Sequence, residues 1–574
     1  MKKSWKKGIA AAMSVLLAAG MAGCGQTNTA NSTATSGDAA TIAQTEAAQS
    51  NTDNGDLTVV KILGRNYTYT GANGKTVTLK DWSTEGKSKR WDKLSENLAA
   101  KGVKLELDLI EPDQFDTTIQ TMAASGELFN YDMINITPLD DKTKLNLVKQ
   151  GQLQSISDIW ETYSDGTYTD FINSDAGQFY FKHVALEDGK CYWLTDYETG
   201  SYEGKPTNFI LAFQIRQDWL DAVGKDMPTT TDAVYEALKA FQDQDVNGNG
   251  QKDEAFLTDY SGFATDVAQW FGLGVGTTFI NNQEDYKIES PWYQEHIKDY
   301  IQYMQKLYAA GLLKMNDSQG GTYMANNQVA AISQWGTELW EETAITVPEG
   351  AEYQWFAPMR VDGIEGETSL FRSSNAYNMG WTATAVPAGS DKQEAIAKIL
   401  DYLVTQESMD LTEYGLEGVS YEVVDGKMSN TLDNTLENTD AVGMALWCNG
   451  SIFPRYKLNN DLSTEMDNTV VFAEKNGVKT NQTAKKDFTI SCIKDPDHRI
   501  FHDLGVLAIP TVEEINKANE ISTDLETYSK ELLTKLIMGE KSLDDWDSYI
   551  QDLKDLGLDD LIAVQQARVD RAMK

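Results

Sequence analysis

Between Asp245 and Glu254 the chain reads DVNGNGQKDE, with oxygen-bearing side chains at Asp245, Asn247, Asn249, Asp253 and Glu254. The alternate spacing aims the first three of these at one centre, Gly250 permits a sharp turn, and Gln251 offers a backbone carbonyl. A hard cation such as Ca2+ takes six to eight oxygens. The residues expected to hold it are Asp245, Asn247, Asn249, Gln251, Asp253 and Glu254. A site filled by one contiguous loop leaves no obvious open position for substrate, so the expected role is to brace the segment. The alternative is an Asn- and Gly-rich turn with solvated acids.

A second kind of chemistry is stacking. Sugars present flat apolar C–H faces ringed by hydroxyls, so a cleft for them needs aromatic planes and planar polar groups. Of the fourteen tryptophans, those in loop-like settings are the expected platforms: Trp82, Trp270, Trp335, Trp381 and Trp447. Core packing is the alternative for each. Glu127, Asp196, Arg372, Asn375 and Arg455, near strand ends or expected chain crossings, are the expected polar partners. An acidic ligand would want a basic cluster, which Arg372 or Arg455 would supply.

Catalysis has less support. A glycosidase needs two carboxylates about 5 to 9.5 Å apart, but among 87 Asp and Glu residues such a pair arises by chance in almost any fold. No Gly-x-Ser-x-Gly elbow occurs. His498 and His502 are four apart, with Cys492 upstream, yet the stretch HRIFH lacks the glutamate of a zinc protease. No enzymatic function is expected.

The amino end supplies an address. Lys2, Lys3, Lys6 and Lys7 precede an uncharged run from Gly8 to Ala22, the layout of a signal peptide, which is shorter than the roughly 20 residues a spanning helix needs. Met21-Ala22-Gly23-Cys24 resembles the bacterial lipobox, with Met21 where Leu is usual. Residues 1–23 are therefore expected to be removed and Cys24 lipidated, anchoring the chain to the membrane. Residues 24–56, rich in Thr, Ala, Ser and Asn, cannot bury enough apolar surface to fold and read as a tether.

The formal net charge is −38, and loss of the four leader lysines makes the remainder more acidic still. Nucleic acid is excluded as a partner. A chain of 574 residues with 41% hydrophobic content exceeds what one core usually serves, so two lobes or more are expected. Cys191, Cys448 and Cys492 allow one disulfide at most.

The remaining elements must position these groups. Leu57–Leu63 (LTVVKIL) fits a buried strand, and Asn66–Thr70 with Thr76–Leu79 fits a hairpin. Trp91, Leu94 and Leu98 recur at helical spacing, Gly102 ends that helix, and Val103–Ile110 alternates as a strand. A helix over Thr117–Ala124 and a strand over Asp132–Ile136 repeat the pattern, giving an α/β region with largely parallel strands. Further helices are expected around Ile297–Leu307 and Ile396–Leu403, and again toward the carboxyl end.

Immediately before the oxygen-rich loop stand Ile215-Arg216-Gln217-Asp218-Trp219-Leu220, then Gly224, Pro228, Thr230 and a helix through Val234, Leu238 and Phe241. This order and spacing strongly resemble extracellular solute-binding proteins of carbohydrate ABC importers, of the alginate-oligosaccharide-binding type. The first six loop positions match an EF-hand. At position twelve, where an EF-hand has a bidentate glutamate, this chain has Phe256, so Glu254 must substitute. Ala233 stands where the family usually has a capping-box glutamate, leaving Thr230 and Asp232 to satisfy the helix start. Tyr131-Asp132-Met133-Ile134, Leu307–Leu312 and Tyr414–Gly418 fit the family as well.

The resemblance implies a two-lobed periplasmic-binding-protein-like α/β fold of type II, with a hinge, a ligand cleft and a helical carboxyl-terminal region. It implies crossings near Asn208–Phe213 and Phe356–Asn375. Residues 57–210 with about 360–420 would form the first lobe, and 211–359 with about 421–574 the second. It further implies a monomer that captures an oligosaccharide outside the cell and passes it to permease subunits. A peptide, another solute or an adhesive role for the same body are the alternatives.

Overall fold

The β-branched run that opens the body forms strand β1 (Thr58–Arg65), whose Val60 and Ile62 point to one face and Leu63 to the other. In the computed structural model the described residues are 57–70, 76–202, 205–206, 212–263, 267–274, 276–281, 285–315, 319–334, 348, 350–356, 359–361, 364, 368–371, 377–379, 382–424, 427–430, 446–448, 450–461, 490, 494, 498–501 and 507–573. All lie within one compact unit, Gly55–Lys574. Cys24, Trp335, Arg372, Asn375, Trp381, Cys492 and His502 lie outside the described residues.

Along the chain, β1 is followed by helix α1 (Lys89–Ala100), β2 (Val103–Ile110), α2 (Pro112–Ser125), β3 (Met133–Asn135), β4 (Trp193–Leu194), β5 (Tyr197–Tyr202) and β6 (Ala212–Arg216). Then come α3 (Thr231–Gln244), β7 (Ala255–Thr258), α4 (Ile297–Ala309), β8 (Leu313–Met315), β9 (Val329–Gln334) and β10 (Tyr353–Phe356). Next are β11 (Tyr377–Met379), β12 (Thr384–Ala385), α5 (Gln393–Leu403), β13 (Tyr456–Asp461), α6 (Val512–Ile537) and α7 (Leu558–Met573).

Two five-stranded sheets organise two lobes, in the orders β2-β1-β3-β12-β4 and β8-β7-β9-β6-β10. In the first, β1 runs parallel to β2 and β3, and β12 is antiparallel to both β3 and β4. In the second, β7 is parallel to β8 and β9, and β6 is antiparallel to β9 and β10. Each sheet has apolar residues on both faces, as strands flanked by helices require. α1 and α5 cover one face of the first sheet and α2 the other. α3 and α4, with α6 and α7, bury one face of the second against Phe213 and Ile215.

A smaller sheet joins the lobes. β5, leaving the edge of the first sheet, pairs antiparallel with β11 and parallel with β13. β5 leads on toward β6 of the second lobe, and β11 leads back toward β12 of the first. These two are chain crossings and β13 is a third, so a hinge is built from strands far apart in sequence.

The lobe boundaries differ from the expected ones. Leu446, Trp447, Cys448, Ile452, Phe453 and Tyr456 pack in the first lobe's core, although residues after about 421 were assigned to the second. The contact is close: a Cβ at Gly64 of β1 would collide with the Ile452 side chain and meet the Ser451 carbonyl at 2.7 Å. Conversely Met359, Val361 and Ile364 belong with the second core, so the return to the first lobe comes at β11, beyond residue 360. Cys191 and Cys448 are buried free thiols.

Candidate functional site

In open α/β sheets ligands sit beyond the carboxyl ends of the parallel strands. In the first sheet that edge carries Arg65 at the end of β1 and Asn66 after it, Asn135 at the end of β3 and Thr137 beyond it, Thr195 and Asp196 after β4, and Thr382 ahead of antiparallel β12. In the second it carries Asp259 after β7 and Gln334 at the end of β9, and antiparallel β6 enters there. β5 begins at the first of these edges and leads to the second. The two edges with the hinge strands between them form the candidate cleft.

Polar side chains at the first edge are buried and mostly engaged. Asn66 donates from Nδ2 to Glu111 (3.1 Å) and accepts from the Lys80 amide (3.0 Å). Asn135 donates to the Gly450 and Ser451 carbonyls, both at 2.7 Å, and accepts from the Thr137 amide at 2.9 Å. Asp196, 2% exposed, takes the Arg455 amide at 2.6 Å and the Thr382 hydroxyl at 3.1 Å, both on Oδ1. Its Oδ2 and the Arg65 Nε are buried without a hydrogen-bond partner among the described residues.

Arg455 closes a partly buried ion-pair network. Its guanidinium donates to both carboxylate oxygens of Glu413 and to Glu198, each at 2.6 Å, with Lys457 3.6 Å from Glu413. Burial alone would raise the Glu413 carboxyl; Arg455 and Lys457 outweigh it and hold the group at about 2. For Asp196 burial prevails over the Arg455 amide and the Thr382 hydroxyl, with Glu198 adding to the rise, and the carboxyl is pushed up to about 6.

Several expected ligand contacts are corrected. Trp82 and Trp447, each 1% exposed, pack on one another and, with Trp91, fill the first core. Trp270 lies between Phe213, Phe256 and Tyr303 in the second core. Tryptophans closed off in this way are not sugar platforms. Glu127 is exposed, but it precedes β3 and so sits at the amino edge of the first sheet, opposite the cleft. Asp196 and Arg455 do lie at the carboxyl edge, with the Asp196 Oδ1 and the Arg455 guanidinium turned onto protein partners. Arg65, Asn66, Asn135 and Thr382 were not singled out from sequence; their strand-end positions held the clue.

The loop after α3 is ordered by its own side chains. Asp245 caps α3 in a left-handed conformation (φ 49°), and Gly248 and Gly250 have φ of 71° and 76°. Asp245 accepts from the amides of Asn249 and Gly250. Asn247 and Asn249 each donate to Asp253, at 2.9 and 3.1 Å, and Gln328 reaches Asp253 from a neighbouring segment. Glu254 is fully buried and takes the Asn247 and Asp253 amides at 3.3 and 3.2 Å. Burial raises its carboxyl. Lys252, the loop's one cation, turns outward to Asp243 at 2.6 Å.

Acidic and amide oxygens thus gather with no lysine or arginine paired to Glu254 among the described residues, a donor set that fits Ca2+. Among the described residues no three His, Cys, Asp or Glu side chains cluster as a metal site, so amide and backbone oxygens would have to complete the sphere. Zinc, which favours nitrogen and sulfur, does not fit. Before the loop, Arg216 pairs with Asp218 (2.7 and 2.5 Å) and its guanidinium stacks 4.1 Å from Trp219. Thr230 caps α3 through the Ala233 amide at 3.2 Å.

Curated proteins of known name match this chain. Lipoprotein LipO of Bacillus subtilis is 27% identical over 242 residues, 38% of this chain and 46% of LipO. The fructooligosaccharide ABC transporter substrate-binding protein FusA of Streptococcus pneumoniae is 21% identical over 78% of this chain and 81% of its own length. The polygalacturonan/rhamnogalacturonan-binding protein YtcQ of Bacillus subtilis is 23% identical over 55% of this chain, and the match spans 59% of YtcQ.

Among solved structures, FusA in complex with kestose has a TM-score of 0.64 at 17% identity, covering 90% of this chain and 99% of its own. A FusA EF-hand mutant with fructo-nystose scores 0.63 at 16% identity over the same shares. The alginate-binding protein AlgQ2 without calcium ion scores 0.57 at 18% identity, again covering 90% and 99%. These likenesses establish the two-lobed fold. The model of the bacterial extracellular solute-binding protein family matches residues 81–410, more than half of the chain, and the chain belongs to that family.

Proposed function

We propose that this protein is the lipid-anchored receptor of a carbohydrate ABC importer, holding an oligosaccharide between its lobes and passing it to the permease subunits without chemical change. The observation that carries this reading is the pair of carboxyl edges joined by β5, β11 and β13, an arrangement that can close on a ligand by bending three strands. The sugar assignment is supported by FusA, named for fructooligosaccharides, and by YtcQ, named for polygalacturonan and rhamnogalacturonan. Trp335, Arg372, Asn375 and Trp381 remain the proposed contacts: Trp335 directly follows β9 in sequence, and the other three flank β11. Ca2+ in the 245–254 loop is proposed as a structural brace, in keeping with the solved structures of AlgQ2 without calcium ion and of a FusA EF-hand mutant. Cys24 is the proposed anchor.

Calorimetry of the chain against a panel of neutral oligosaccharides, uronate oligosaccharides and peptides tests this. Saturable binding of one sugar class, with the sugar recovered intact, is expected. Peptide-only binding would overturn the carbohydrate assignment, and recovered hydrolysis products would overturn the non-catalytic one.

A further inference from the structure

Asp196 occupies a position that its neighbours in sequence do not reveal. It is the last residue before β5 and two residues beyond β4, so it stands at the root of the first crossing. Its Oδ1 accepts the amide of Arg455, the residue just before β13, and the hydroxyl of Thr382, which lies between β11 and β12. One carboxylate oxygen therefore ties together the first-lobe roots of all three crossing strands. Thr382 is bound on from there, its hydroxyl accepting the Gly450 amide at 3.1 Å. The Arg455 side chain extends the tie to Glu198 on β5 and to Glu413.

The ladders of β5 with β11 and β13 couple the three strands along their length, and the shared acceptor at their roots adds a fixed point from which they bend together, so the pin sets where the hinge starts. We infer that Asp196 is a positioning residue, a clamp on the roots of β5, β11 and β13 that confines lobe motion to the strands beyond it. This rests on the two-lobed binding reading for its purpose, but not for its geometry, which holds whatever the ligand. The charges around the carboxylate are Glu198 on β5 and Arg455 and Lys457 on the third crossing segment, with Glu413 behind Arg455 and the thiol of Cys448 from the preceding turn.

Hydrogen exchange of the full chain without ligand reads the clamp directly, because crossing strands and lobe cores report separately. Asp196→Ala removes the acceptor; exchange in 197–202, 377–379 and 456–461 should rise by about tenfold, the scale of a lost charged hydrogen bond, while α1 and α3 keep wild-type rates. Asp196→Asn keeps an acceptor oxygen in place and should restore slow exchange in all three strands. Thr382→Ala, which breaks one of the two bonds, should raise exchange in 377–379 and leave 456–461 slow, and it tests the clamp even if Asp196→Ala fails to fold. Exchange that rises evenly through the first lobe, or that leaves the three strands unchanged, would overturn the inference. Since no sugar is present, failure of the carbohydrate reading would leave this result intact.

Discussion

A tryptophan next to a turn looks the same in sequence whether its ring faces a sugar or a core. Trp82 and Trp447 show why: they lie 365 positions apart and meet only because residues 446–448 and 450–456 fold back over the end of β1. Their partners were not legible from local spacing. Replacing either ring by alanine should cost about 3 to 5 kcal/mol of stability, the range for large buried aromatics, with the ligand affinity of the folded fraction unchanged. Thermal denaturation alongside calorimetry checks both parts.

Asp196 makes a pH prediction at the same scale. Burial lifts its carboxyl to about 6, above the roughly 3.9 of an unfolded chain. The folded state therefore binds this proton more tightly, so its contribution to stability is full below about pH 4 and is lost as pH rises through about 6, amounting to about 3 kcal/mol. Asp196→Asn cannot ionise. The stability of wild type relative to this variant should thus fall between about pH 4 and pH 6, as followed by urea unfolding at each pH. A pH-independent difference would show that Asp196 titrates normally.

At the scale of elements, contiguous features were legible and non-local ones were not. The strands Val103–Ile110 and Thr58–Arg65, the helix at Trp91 to Leu98 and the turn at Arg216–Trp219 each declare themselves through periodicity or capping. The 245–254 loop does so through its oxygens. If Ca2+ occupies it, chelation removes a stabilisation of about 2.7 kcal/mol at a hundredfold excess over Kd; EDTA should then lower the melting temperature by several degrees, and Asp245→Ala should abolish that response. The hinge sheet gives no such local sign, since β5, β11 and β13 come from three distant segments. Its ion pairs are similarly dispersed. Arg455→Met should leave Glu198 without its cation and Glu413 with Lys457 alone, and destabilise the protein by about 2 to 3 kcal/mol, more than the loss of an exposed pair such as Lys93–Glu96.

For the whole molecule, acidity and the amino-terminal address combine into one arrangement. A strongly negative body would be held off anionic surfaces, and a lipid at Cys24 would keep it near its permease, raising its effective concentration there. Cys24→Ser should move the protein from the membrane fraction into the medium, as immunoblots of the two fractions would show. The two-lobed class could be read from sequence because length, α/β alternation and the Arg216 to Glu254 signature point the same way. The boundaries could not, because the chain crosses between lobes where no composition change marks it.

Capture by closure is tested most directly by small-angle scattering of the protein with and without a saturating oligosaccharide from the calorimetric panel. The radius of gyration should fall on binding and recover when the intact sugar is dialysed away. A radius that stays constant at saturation would contradict closure of the lobes on the ligand.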